Sequence, residues 1–197
     1  NGQILTTPAV VVGDNDVILV DNNPLNKKQK TRVWLYHKPV GLVTTHRDPQ
    51  GRPTVFDALP KGLPRVISVG RLDLNSEGLL LLTNDGEWAR KMELPSNGWK
   101  RTYRVRVHGV VSAEVLGRLH KGIKIDGVQY APCVVEVEKK QSTNTWLKMT
   151  LSEGKNREIR KMMKFFGLEV SRLIRISYGP YQLGLLKPGQ VQEAPCA

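Results

Sequence analysis

Apolar and polar positions alternate along much of this chain, and the alternation marks where strands fall. Tyr103-Arg104-Val105-Arg106-Val107-His108 has period two, which turns one face toward a core and gathers Arg104, Arg106 and His108 on the other. Trp146-Leu147-Lys148-Met149-Thr150-Leu151 repeats the pattern, and Cys133-Val134-Val135-Glu136-Val137-Glu138 predicts a further strand. The period changes near the C-terminal end. Ile159, Met162, Met163 and Phe166 fall at i, i+3, i+4 and i+7, with Arg157, Arg160, Lys161 and Lys164 over the rest of the surface, which predicts a helix over 156–166 capped by Asn156 and ended by Gly167. Val115, Leu116 and Leu119 predict a shorter helix over 112–120, and Asn84-Asp85-Gly86 marks a tight turn that caps another over 87–92. A mixed, largely antiparallel α+β domain is expected.

Before Val33 the pattern is different. Val10-Val11-Val12 and Val17-Ile18-Leu19-Val20, separated by Gly13-Asp14-Asn15-Asp16, read as a hairpin too small to fold alone. Asp21-Asn22-Asn23-Pro24 and Lys27-Lys28-Gln29-Lys30 have the composition of a linker, so the expected division is residues 1–30 and 31–197.

The 197 residues suffice for one full domain with a small appendage, and the longest aliphatic run, Leu79 to Leu82, is far short of a membrane span. Charge changes the picture more than size does. Thirty Lys and Arg against eighteen Asp and Glu leave a net +12, which attracts polyanions and makes nucleic acid the first partner to consider. Basic residues cluster over 27–52, 90–106 and 155–175; each alone is compatible with a solvated face, while the three together favour a surface that grips phosphates. Cys133 and Cys196 lie far apart with no metal-ligand spacing, and His37, His46, His108 and His120 are scattered, so no metal site is expected. Chemistry must then rest on carboxylates, Lys, Arg or Tyr. The chain starts at Asn1 with no basic segment leading into an apolar core, so no secretion signal is expected and the cytoplasm is the expected compartment.

The densest candidate is the run Gly70-Arg71-Leu72-Asp73-Leu74-Asn75-Ser76-Glu77-Gly78, an irregular loop that presents Asp73 two residues from a guanidinium. A lone carboxylate in so basic a setting stays ionised and suits a nucleophile or a proton acceptor; a turn or cap residue is the competing reading. Tyr103 follows Lys100-Arg101 and opens the basic strand, where its ring either lies beneath an unstacked base or packs in the core. Leu151 through Met163 leads from a strand through Gly154 into the basic helix, whose start, with Lys155 and Arg160, could hold a phosphate or steer Asp73.

These segments together resemble the pseudouridine synthases that modify ribosomal RNA, in the group with an S4-like RNA-binding domain ahead of the catalytic one. Gly70-Arg71-Leu72-Asp73, continuing from Ser76 to Gly86, resembles the family's catalytic-Asp motif; Arg101-Thr102-Tyr103 resembles its basic-x-Tyr motif; Glu153 to Arg160 resembles its third motif. Lys38-Pro39-x-Gly41 and the stretch from Asp48 to Asp57 most resemble the branch acting on large-subunit ribosomal RNA. The resemblance covers about residues 32–195. Ser76 stands for the commoner Thr, and Glu158 stands where many relatives carry Gln.

The resemblance implies a sheet with a central cleft. It also implies Asp73 as the carboxylate that breaks the uridine glycosidic bond and Tyr103 stacked on the uracil. Arg71 would hold the flipped nucleotide, Leu151 would line the pocket, and Lys155 and Arg160 would pair with Asp73. No cofactor or metal is implied. The expected partner is ribosomal RNA, large-subunit RNA or an assembly intermediate, with no membrane, and the protein is expected to be a monomer. Residues 1–21 resemble only the last part of an S4-like domain, so a cut chain that binds RNA less well is expected. Two rival classes remain: a non-catalytic RNA-binding or ribosome-assembly module, which would not need Asp73, and a glycosidase-like hydrolase, which would need a second carboxylate near Asp73, the nearest in sequence being Glu77.

Overall fold

Period-two alternation becomes sheet. The structure, a computed structural model, describes residues 29–197 together with the backbone of Leu19–Val20 (β1) and Asn23–Pro24 (β2). It divides into two units, Asn1–Lys30 and Thr31–Ala197. In the first, β1 pairs antiparallel with β2, so Asn23 and Pro24, expected as linker, are strand residues. The strand expected at Val10-Val11-Val12 lies outside the described residues.

The second unit is built on nine strands: Val33–Lys38 (β3), Ile67–Val69 (β4), Glu77–Thr83 (β5), Arg101–His108 (β6), then, beyond the small hairpin Ile123–Ile125 (β7) and Val128–Tyr130 (β8), Val134–Gln141 (β9), Asn144–Leu151 (β10), Glu169–Tyr178 (β11), Tyr181–Gln182 (β12) and Val191–Ala194 (β13). Their order is β13-β3-β5-β11-β6-β10-β9, with β4 beside β5 and β12 beside β11. Every pairing in this sheet is antiparallel except β5 with β11, at its centre. The two backbones come so close there that a Cβ on Gly78, at φ +105, would meet the Arg175 amide nitrogen at 2.7 Å. Only glycine fits that position.

Three apolar clusters hold the sheet. On one half, Val105, Val107, Leu147, Met149 and Leu173 pack under the helices Ala113–Lys121 (α2) and Glu158–Phe165 (α3). On the other half β5 is covered on both faces. Leu79 and Leu81 pack with Val33, Tyr178 and the helix Gly86–Glu93 (α1), while Leu80 and Leu82 pack with Trp34, Tyr36 and Val55. A strand buried on both sides has no polar face to alternate with, which is why it reads as an unbroken aliphatic run.

The helix starts show why one cap was legible and another was not. Asp85 accepts hydrogen bonds from the Glu87 and Trp88 amides at 3.0 and 3.2 Å, the expected N-cap of α1. Ser112 caps α2 through the Val115 amide. Asn156 does not cap α3: the helix begins two residues later, after Arg157 at φ 51, and no side chain caps it.

Candidate active site

The loop between β4 and β5 is tied down along its backbone. The Thr44 hydroxyl donates to the Leu72 carbonyl at 2.8 Å and accepts from the Leu72 amide at 3.3 Å, and the Gly41 amide donates to the Leu74 carbonyl at 2.9 Å. Lys38, wholly buried at the end of β3, donates its ammonium to the Pro39 and Ser76 carbonyls at 3.0 and 2.8 Å and, more weakly, to Leu74 at 3.4 Å. Burial pushes that amine down to about 8, against the raising influence of the Asp73 and Glu77 charges. Arg160 of α3 reaches across to the Asn75 carbonyl at 3.0 Å. A backbone held at four points cannot swing, so the side chain on it is aimed.

That side chain is Asp73. Its backbone carbonyl closes the turn by accepting the Ser76 amide, while its carboxylate faces away from the turn and meets the Arg157 guanidinium, Nη1 to Oδ2 at 3.2 Å. Both side chains are more than a third exposed, so the pair is worth at most about 1 kcal/mol of stability. Its consequence is orientation. The left-handed backbone at Arg157 turns the guanidinium back toward the loop instead of out along the helix.

Asp73 lies in a cleft of about 1050 Å³ lined also by Arg71, Arg101, Tyr103, Leu151, Lys155, Arg157, Arg175 and Tyr178. Small-molecule pockets span about 300–1,000 Å³, so this one has room for a nucleotide and its flanking phosphates. Tyr103 is half-buried, packed partly on the core and also lining the cleft. Leu151, 3% exposed, forms the apolar wall beside it. Tyr178 also lines the cleft, with the Arg101 and Arg175 guanidiniums 5.0 and 4.9 Å from its ring centre.

Several expectations need correction. Lys155 lines the cleft but does not pair with Asp73; its ammonium is spent on Glu153 at 2.9 Å and on the Gln129 carbonyl. Arg160 acts on Asp73 only through space, because its hydrogen bonds go to Asn75 and to the Ser76 hydroxyl. The partner is Arg157, which helix periodicity assigns to the outer surface, and no signal in the sequence distinguishes it from the other cations of that face. Lys38 and Arg175 were missed because a cation on a strand reads as solvent-facing, whereas these are 0% and 3% exposed. Of the three basic clusters, those over 90–106 and 155–175 supply cations to the cleft; the described part of the first supplies none, and Arg52 pairs with Asp48. From that cluster come instead His46 and Phe56 close beyond it, whose rings stack at 3.7 Å on the rim. Glu77, the second acid a glycosidase would need, is bound by Arg172 at 2.9 and 3.1 Å and does not line the cleft.

Known proteins resemble this chain in sequence and fold. Residues 32–165 match the family model described as RNA pseudouridylate synthase. The chain is 51% identical over 193 residues to an uncharacterized RNA pseudouridine synthase of Rickettsia felis, covering 98% of this chain and 83% of that one. It is 43% identical over 195 residues to the ribosomal large subunit pseudouridine synthase B of Buchnera aphidicola, covering 96% and 74%. A solved crystal structure of a pseudouridylate synthase superposes with a TM-score of 0.77 at 26% identity, over 99% of this chain and 84% of the other.

Proposed function

Since the chain belongs to the RNA pseudouridylate synthase family and is an RNA pseudouridine synthase, we propose that it isomerises a uridine of large-subunit ribosomal RNA, with Asp73 as the essential carboxylate. The observation that carries this reading is the Asp73 carboxylate aimed by Arg157 into a basic cleft that Tyr103 also lines. The choice of RNA is supported by the relative named for the large ribosomal subunit, which matches 96% of the chain.

The reaction exchanges one bond for another within the nucleotide. The bond from N1 to C1′ breaks, the uracil turns, C5 bonds to C1′, and the C5 proton leaves to water while N1 gains a proton, with no net oxidation. A uridine inside a helix cannot offer C1′ to a side chain, so the nucleotide must first leave the stack. Tyr103 then receives the uracil face, Leu151 excludes water from its edge, and Arg71 and Arg101 hold phosphates on either side. Asp73 acts on the exposed ribose, as nucleophile at C1′ or as base at C2′; each route needs the carboxylate ionised and held within bonding distance. Arg157 keeps the carboxylate turned to the cleft while the developing positive charge on the sugar draws it forward.

The test is tritium release from RNA labelled at uracil C5. Release from large-subunit ribosomal RNA, with small-subunit RNA and transfer RNA inert, is the expected result. Release from either of those two, with large-subunit RNA inert, would overturn the substrate assignment.

A further inference from the structure

At the cleft wall, two acids meet in a way the reaction above does not use. Glu158, the first residue of α3, is 4% exposed, and its Oε2 has no hydrogen-bond partner. Its Oε1 accepts the Lys155 amide at 3.4 Å, while its own amide donates to the Lys155 carbonyl at 3.2 Å, a reciprocal clasp across the turn that holds Asn156 and Arg157. Within side-chain hydrogen-bond reach of it is Glu153, whose oxygens are already served: Oε1 accepts the Ala131 amide at 2.8 Å and Oε2 accepts the Lys155 ammonium at 2.9 Å. The other groups around the pair are the buried Cys133 thiol, the Arg101 guanidinium packed on Gly154, and Arg157 and Arg160 on the segment itself.

Two carboxylates this close, one of them buried, cannot both be ionised at low cost. Burial first, and then the Glu153 carboxyl, push Glu158 up to about 8. Burial also acts upward on Glu153, but the Ala131 amide and the Lys155 and Glu158 side chains hold it below the ordinary carboxylate value. The proton therefore belongs on Glu158, where it gives the orphaned side chain a donor and Glu153 an acceptor's role. Resting on the function proposed above, we propose that Glu158 is a positioning residue that works as a neutral carboxylic acid, sharing its proton with Glu153 and so holding the turn that aims Arg157 at Asp73. Loss of the proton sets two negative charges against each other under a residue already held in the left-handed region. The clasp opens, and Arg157 loses its heading.

The experiment is single-turnover tritium release by the full chain at saturating C5-labelled large-subunit RNA, from pH 6.5 to 9.5, for wild type, Glu158→Gln, Glu158→Ala and Glu153→Gln. Glutamine is the shape of the protonated acid, so Glu158→Gln keeps the neutral-pH rate, while Glu158→Ala loses rate at every pH. The wild-type rate divided by that of Glu158→Gln falls about tenfold between pH 7 and pH 9, a ratio that cancels ionisation of the RNA itself. Glu153→Gln, which removes the like charge, flattens the fall. Parallel profiles for wild type and Glu158→Gln, or an undiminished fall in Glu153→Gln, overturn this role alone. Release absent from all four overturns the assigned reaction and this role with it.

Discussion

At the scale of single residues, aim matters more than charge. Arg157 contributes little to stability, yet the left-handed turn makes it the group that meets Asp73. Arg157→Gln is expected to lower the single-turnover rate by roughly 10–100-fold with a melting temperature within a few degrees of wild type, measured by tritium release and thermal unfolding. Lys38 holds the backbone of the loop that carries the same carboxylate, and Lys38→Met, which releases the Ser76 and Leu74 carbonyls, should lower both rate and stability. The stability effect has a pH signature. Burial depresses the Lys38 amine from its ordinary 10.5 to about 8, so between those values the unfolded chain binds more protons than the folded one. Stability therefore rises with pH across that window, and wild type should gain on Lys38→Met in denaturant titrations from pH 8 to 10.5. Asp73 and Tyr103 stand out in the sequence because a Gly-bounded loop and an alternating strand are local patterns. Arg157 and Lys38 do not, since their neighbours come from segments 84 and 36–38 residues away.

At the scale of elements, the strands follow their own alternation and the exceptions have physical causes. β6 and β10 pair residue for residue from Arg101 opposite Leu151 to His108 opposite Asn144, so the two period-two segments share one buried face. β5 hides its strand character because both faces are covered, and its four leucines are 0% exposed. Leu81→Ala is expected to cost about 2–5 kcal/mol in denaturant unfolding, since no neighbouring layer can close over the cavity from either side. The start of α3 was misplaced by two residues because an asparagine before an amphipathic run resembles an N-cap, whereas here the chain spends Asn156 and Arg157 on the turn toward the cleft. Local capping chemistry yielded to tertiary aim.

At the scale of the whole molecule, the cleft joins loops and strands from both halves of the sheet, and no local pattern announces it. Net charge of +12 does announce the class of partner, and RNA affinity should fall steeply with salt. Arg71, exposed on the cleft rim, tests that term: Arg71→Gln should weaken binding of all RNAs alike and reduce the log–log salt slope by about one. The most direct test of the account is Asp73→Asn, which keeps the side chain's shape and removes its capacity to attack or to take a proton. Measured side by side, RNA affinity should stay near that of wild type while single-turnover tritium release drops roughly 10³-fold or more. Release at the wild-type rate from the Asn variant would contradict it.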